Sequence, residues 1–514
     1  MSEESLAPAA KRFIRPLPKN PNLDKQRKLA KALARDYWRG TAGAIDRVQA
    51  LHPKPPVPND FLLSDAQLVI ARGYGFTNWA ELKRKINSLT RSPVELFKAA
   101  VEAGDAEDLR RLLEVHSELA SKINEPMFSF DSPAVHVART NMALLDLLLA
   151  HGGDLNARTG WEKGGFGVLE QVSPEEASPL IARGARVDVW AAANLGMIAE
   201  LREIIACDPS LVHAKGGDGK RPLHFSRTVE IARFLLDRGA EIDALDDDHS
   251  STPAQHLIGD RPEIAAFLVA QGARSDLLLA AALGDIALIE RHLDADPGAI
   301  GMRVDHDWFP MIDTAPNGGH IYQWTLGFHV SAFDVARGRE WSEALNLLLR
   351  RAGPRERLLD ALWCGDEART DAILAANPEL RKQLPQSASR HLADAARNNN
   401  AAAVKAMLGC GFPLTARGQH GATPLHWAAF HGNPEMLAEV LKYNPQIGAQ
   451  DIEFQGTTMG WLIHGARGSW GYSTKRHDAC AHMLLSAGSE VDESSLPTGH
   501  DGIDQVLREH FMRS

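Results

Sequence analysis

The sequence predicts an all-α solenoid of stacked helix pairs, joined by short hairpin-like loops and led by a small helical head. Three observations predict it. First, residues 419–451, QHGATPLHWAAFHGNPEMLAEVLKYNPQIGAQD, read as one complete helix–turn–helix unit. Second, the inward face of that unit, Met436, Leu437, Val440 and Leu441, cannot be buried by a single copy, so copies must flank it. Third, two marks of the unit recur along the chain with a mean spacing near ~33 residues.

Composition sets the frame. The chain has 514 residues, 44% hydrophobic and 24% charged, which is ordinary for a globular protein. A repeat array overrides the several-domain expectation of that length, because stacked repeats share one elongated core. No apolar run reaches ~18 residues, so no membrane span is expected. The start, MSEESLAPAAKRFIRPLPK, lacks the apolar stretch of a signal peptide. Cys207, Cys364, Cys410 and Cys480 stand far apart, with no CxxC pair and no zinc set, and read as small, mostly buried residues of a cytoplasmic protein.

The head comes first in chain order. Residues 1–22 are rich in Pro and Lys and read as an extended arm, followed by a helical segment over 23–92. Leu29, Leu33 and Tyr37 recur at helical spacing from Leu23 to Arg39. Ser64 is expected to cap one helix to about Arg72, and Thr77 another to about Leu89, with Gly73 and Gly75 turning the chain between them. Residues 1–92 hold 17 Lys/Arg against 8 Asp/Glu, a balance of +9, while the remainder holds 39 against 58, a balance of −19. Such a head could fold back onto the array, bind an acidic partner, or be a solvated helical cap. A helix-turn-helix reading puts Lys83, Arg84 and Lys85 on the second helix. Against it, Trp79 and Leu82 read as core, and the basic triplet falls late on the helix, so nucleic-acid binding is the weaker reading.

The array follows, over 93–492. First helices carry a small pair and then Gly or Asn: Ala192-Ala193 with Gly196, Ala280-Ala281 with Gly284, Ala395-Ala396 with Asn399. Second helices end in an apolar run, a glycine and an apolar residue before Asp or Asn, as in LLLAHGGDLNA (147–157) and FLLDRGAEIDA (234–244). Other units stop at Asp-Pro or Asn-Pro, as in CDPSLV (207–212) and NPQI (444–447). Together these marks divide the array into about twelve units. Residues 493–514 carry Ile503, Val506, Leu507 and Phe511 at helical spacing and read as a C-terminal cap helix.

These motifs, above all TPLHWAA at 423–429 with its matching second helix, resemble those of ankyrin-repeat proteins. The resemblance spans about four-fifths of the chain. The units at 159–188 and 302–355 depart most from the pattern. LSDAQLVIARGYGFTNWAELK (63–83) resembles the helical segment that precedes the repeats in some bacterial ankyrin proteins, which implies a bacterial source. His224 and His426 belong to the repeat signature and are expected to bond backbone within the turn rather than act as ligands.

Departures from a regular array are where function shows. The first is an insertion at 302–330, MRVDHDWFPMIDTAPNGGHIYQWTLGFHV, holding Asp305, His306, Trp308, Tyr322 and Trp324. The alternation in HIYQWTL predicts a β-hairpin with Asn317-Gly318-Gly319 at its tip. The second is an insertion at 464–478, which lengthens a link and carries Trp470 and Tyr472. Asp305, His306 and Asp307 offer metal-ligand types, but no HxxxH or HExxH frames them and no nucleophile accompanies them, so no metal, cofactor or catalytic residue is assigned. Gly216-Gly217-Asp218-Gly219-Lys220-Arg221 fails as a phosphate loop, since Ala214 and Arg221 replace its first glycine and its Ser/Thr.

The expected function is non-catalytic: a scaffold binding another protein on the concave face of loop tips and first helices. Trp427, Phe430, His431, Trp461 and His464 fall on or near adjacent first helices, and with the aromatics of the two insertions they compose the candidate contact surface. Trp308 and Trp324 plugging the groove between repeats is the plainer alternative for the first insertion. The rival function is an enzyme or small-molecule or metal binder with a pocket between the 302–330 insert and the array.

Overall fold

A computed structural model describes residues 11–18, 21–312 and 318–513. Among the described residues it is all α, with short 3-10 turns and isolated bridges in place of strands. The chain divides into two compact units, residues 1–91 with 353–514, and residues 92–352.

Residues 92–352 form a run of helix pairs. Pro93–Ala103 pairs with Ala106–Val115, Val189–Leu195 with Ile198–Cys207, Pro253–Leu257 with Pro262–Ala270, Leu277–Leu283 with Ile286–Ala295, and Ala332–Gly338 with Ser342–Arg351. The first helices are short because a polar cap and a left-handed residue bracket them. Asp188 and Asp276 accept the third backbone N–H of their helices, and Gly196 and Gly284 close those helices at φ +82 and +67. The alanine pairs Ala192-Ala193 and Ala280-Ala281 are buried and let neighbouring first helices meet. Residues 159–188 have no first helix. Phe166, Val168 and Leu169 fill its place from a loop, and the buried Glu170 holds that loop through Arg158 (2.5 Å) and the Gly217 N–H (3.0 Å). Gly216–Lys220, the stretch resembling a phosphate loop, is a finger tip closed by Gly216 N–H donating to the Lys220 carbonyl, 2.8 Å.

The other unit holds the helical head and the C-terminal repeats. Leu23–Trp38, Ala42–Leu51, Leu63–Arg72 and Trp79–Thr90 close over Leu33, Tyr37, Phe61, Val69, Ile70, Leu82 and Ile86. Two caps differ from expectation. The helix at 63 starts one residue before Ser64, because the Asp65 carboxylate reaches back to the Leu62 N–H at 2.8 Å. Asn78, not Thr77, caps the next helix by accepting the Glu81 N–H at 2.9 Å. Phe13, Ile14 and Leu17 pack on the head core. The head also meets the C-terminal cap helix, Asp501–Arg513. Arg508 donates to the Phe61 carbonyl (3.1 Å) and lies 4.0 Å over Trp38, and Arg39 pairs with Glu493.

The C-terminal pairs are Pro354–Trp363 with Glu367–Ala376, Arg390–Arg397 with Ala401–Gly409, Pro424–Phe430 with Pro434–Leu441, and Thr458–Gly468 with His477–Ser486. Their apolar faces merge into one core that includes Met407, Leu425, Met436, Leu437, Val440 and Leu462. Each face removes area from water at about 25 cal/mol per Å², which one pair alone could not do.

Candidate functional site

Two places depart from the regular array, one in each unit. In the C-terminal repeats, Pro424–Phe430 and Thr458–Gly468 lie in close contact. A Cβ on Gly465 would stand 2.1 Å from the Phe430 carbonyl oxygen, so only glycine allows the approach. That approach brings Trp461 edge-on to Trp427, with ring centroids 4.8 Å apart. The indole N–H of Trp461 donates to the Asp451 carboxylate at 2.9 Å. The same carboxylate accepts the Phe454 and Gly456 N–H groups at 2.6 and 2.7 Å, which shapes the finger over 451–457.

The rings continue in both directions. Trp470, on the lengthened link, lies 5.5 Å from Trp427 and 5.1 Å from Phe430, and Tyr472 lies 5.4 Å beyond it. The Arg397 guanidinium covers Trp470 at 4.7 Å. Toward the finger, His420 sits 6.3 Å from Trp427 and 5.2 Å from Phe454. His431 donates one ring N–H to the Arg397 carbonyl (2.8 Å) and faces Ser473 Oγ with the other nitrogen (2.8 Å). Burial lowers its pKa to about 4, so the ring is neutral and fixed.

The structure therefore brings Trp427, Phe430, His431, Trp461 and His464 together but does not leave them all accessible. Trp427 is 1% exposed, and Phe430, His431 and Trp461 are also buried. They are the support of a surface rather than the surface, because large rings on closely packed first helices fill the seam between repeats. His464 is exposed, Trp470 is half-buried and Tyr472 is 53% exposed. Phe454, 62% exposed, and Ile452 on the same finger complete the accessible edge. Neither they nor His420 and Arg397 were singled out by sequence. The legible signal was two bulky apolar residues in DIEFQG, at a loop tip where polar residues are usual.

The 302–330 insert belongs to the other unit. Its base is closed by an Arg303–Ser331 bridge and by Val304 N–H donating to the Val330 carbonyl, 3.0 Å. The expected hairpin does not form. Tyr322–Thr325 is a helical turn that satisfies its own backbone, with Leu326 N–H donating to the Tyr322 carbonyl at 2.9 Å, whereas a hairpin would expose unpaired edges. Asn317, its expected tip, lies outside the described residues.

Tyr322 is fully buried and is thereby removed from the contact surface. Its hydroxyl donates to the Asp276 carboxylate at 2.9 Å, and its ring meets Phe309 and His320. These three side chains anchor the insert, the part expected of Trp308 and Trp324. Trp308 is partly exposed and Trp324 is 73% exposed. Asp305 serves its own turn by accepting the Asp307 and Trp308 N–H groups at 3.1 and 3.2 Å, and His306 is exposed. The repeat-signature histidines bond backbone: His224 Nε2 lies 3.4 Å from the Ser251 carbonyl and His426 Nε2 3.2 Å from that of Gly456. Burial lowers the His224 pKa to about 3.

Helix pairs with left-handed stops, capped first helices and projecting fingers define a helical repeat protein. Residues 392–494 match the family described as ankyrin repeats (3 copies). Ankyrin repeats are generally modules of protein–protein interaction. Among solved structures, the crystal structure of the human ASB11 ankyrin repeat domain is similar at 16% identity, covering 60% of this chain and 100% of that one, with a TM-score of 0.23. A search of curated proteins finds no match. Among the described residues no helix is long and apolar enough to cross a membrane.

Proposed function

We propose that the C-terminal repeats bind a protein partner through the accessible edge of the aromatic ladder: Ile452 and Phe454 on the finger, and His464, Trp470 and Tyr472 on the next first helix and its link. The observation that carries this reading is continuity. Exposed rings at both ends are joined through buried rings held by hydrogen bonds, so the surface is rigid before any partner arrives. Rigid aromatics lose little conformational entropy on binding and are enriched in interface hot spots, as is Arg, here Arg397 against Trp470.

The test is affinity capture from the source cell's lysate with three baits: wild type, a Phe454→Ala/Tyr472→Ala double variant, and Trp324→Ala. A partner retained by wild type and Trp324→Ala but lost by the double variant supports the reading. A partner lost only with Trp324→Ala moves the surface to the insert, and a partner held equally by all three refutes the placement.

A further inference from the structure

The finger tips beneath the insert hold a cluster that the repeat architecture does not require. Asp218 stands at the tip of one finger with φ +60. The next finger docks against it, with Asp247 N–H donating to the Asp218 carbonyl at 2.8 Å. This docking places two carboxylates, Asp218 and Asp248, beside one imidazole, His249, with one ligand atom from each within 4.8 Å of the others. His249 Nε2 lies 3.5 Å from Asp248 Oδ2 and 3.9 Å from Asp218 Oδ2.

These separations are long for hydrogen bonds. They are near the spacing of donors that share an ion: two ligands each about 2.1 Å from a tetrahedral ion stand roughly 3.4 Å apart. The other ring nitrogen is committed, since His249 Nδ1 donates to the Gly319 carbonyl at 2.7 Å. In the neutral ring this leaves the Nε2 lone pair facing the carboxylates, the outer-shell arrangement typical of a metal-bound histidine. Asp248 accepts the Gly318 N–H through Oδ1 at 3.1 Å, while Oδ2, on a side chain only 8% exposed, accepts no hydrogen bond among the described residues and faces His249. Lys220 is the cation in place, 3.2 Å from Asp218 Oδ2.

We propose that Asp218, Asp248 and His249 form a binding site for a divalent metal ion of the zinc class, which pins the Gly318–Gly319 end of the insert to two neighbouring fingers. The imidazole favours a borderline ion over calcium or magnesium, and three protein ligands leave a fourth position for water. Gly318 is part of the design, since a Cβ there would stand 2.4 Å from His249 Cε1 and 2.6 Å from Asp248 Oδ2. This site is separate from the sequence-flagged Asp305, His306 and Asp307, and it is independent of the partner surface in the other unit.

The experiment is calorimetric titration of the chelator-treated full chain with zinc ion alone, using wild type, Asp248→Asn, His249→Gln and Lys220→Met, each checked for native circular dichroism. Wild type binds one ion, and the two ligand variants lose at least about tenfold in affinity. Lys220→Met keeps every ligand and the packing on Phe166 and Phe225 while removing a competing charge, so its affinity rises several-fold. Zinc raises the melting temperature of wild type and Lys220→Met, and calcium at equal concentration does not. Binding weaker than about millimolar in wild type overturns the proposal. So does an affinity unchanged in the ligand variants. If those variants fail to fold, an unchanged or weaker affinity in Lys220→Met overturns it on its own.

Discussion

Replacing Gly465 by alanine isolates the contact on which the aromatic ladder depends. The added Cβ would lie 2.1 Å from the Phe430 carbonyl oxygen, 2.8 Å from its carbon and 2.9 Å from Phe430 Cα. Backbone cannot rotate away as a side chain can, so the helix Thr458–Gly468 must retreat by roughly 1 Å to reach ordinary contact. Overpacking of this kind costs about 1–3 kcal/mol. The same retreat disturbs His477 Nε2, which donates to that carbonyl at 2.9 Å, adding about 0.5–1.5 kcal/mol. Alanine regains at most about 1 kcal/mol of helix propensity. The net loss is about 1–3 kcal/mol, or on the order of 1 M in the urea midpoint. Gly460→Ala is the control on the same helix: its Cβ would meet only Thr457 Oγ1 at 3.5 Å, so it should be neutral or stabilising. Urea titrations followed by circular dichroism compare the two. Equal midpoints for the two variants would refute the close-approach argument.

Three further outcomes follow from burial and charge. Trp427→Ala should cost about 3–5 kcal/mol by removing a buried ring, whereas Tyr472→Ala should cost well under half of that, both read as urea midpoints; similar losses would mean that Tyr472 is core. Stability should fall on acidification from pH 7.5 to 5. His224, His320 and His431 have folded pKa values near 3, 4 and 4, below the unfolded value, so the unfolded chain takes up protons first; each histidine withdraws about 1.4 kcal/mol per pH unit below ~6.5. Equal stability at the two pH values would contradict their burial as neutral rings. Tyr322→Phe keeps the insert's anchoring ring but deprives the buried Asp276 of its 2.9 Å hydroxyl donor, and should lower the melting temperature by a few degrees. No change in melting would show that the remaining donors to Asp276 suffice.

Much of the architecture was legible because repeats write it locally. Thr423-Pro424 opens a helix, Gly196 and Gly284 stop one, and the alanine pairs mark where helices touch; each depends on neighbours a few residues away and recurs along the chain. The aromatic cluster was legible in outline for the same reason, since Trp427 and Trp461 occupy equivalent positions in successive units and therefore meet. Which face of each ring reaches solvent was not legible. That depends on Gly465 admitting the neighbouring helix and on Trp470 folding back from the link, and neither event has a local signature. The insert shows the same limit. HIYQWTL alternates like a strand, yet with no partner strand among the described residues its backbone closes into a helical turn and Tyr322 finds Asp276, 46 residues earlier in the chain.

The sequence by itself determined the repeating helix pair, the ends of most helices and the residue types that fill the seams, because all of these are set by hydrophobic period, caps and left-handed turns. Tertiary structure alone decided that Trp427 is buried while Phe454 and Tyr472 are exposed. It alone brought Asp218, Asp248 and His249 together from separate fingers beneath the insert. The physical reason is the same in both cases: exposure and ligand geometry are properties of atoms meeting across repeats, and a pattern read along one chain carries the spacing of residues but not the distances between them.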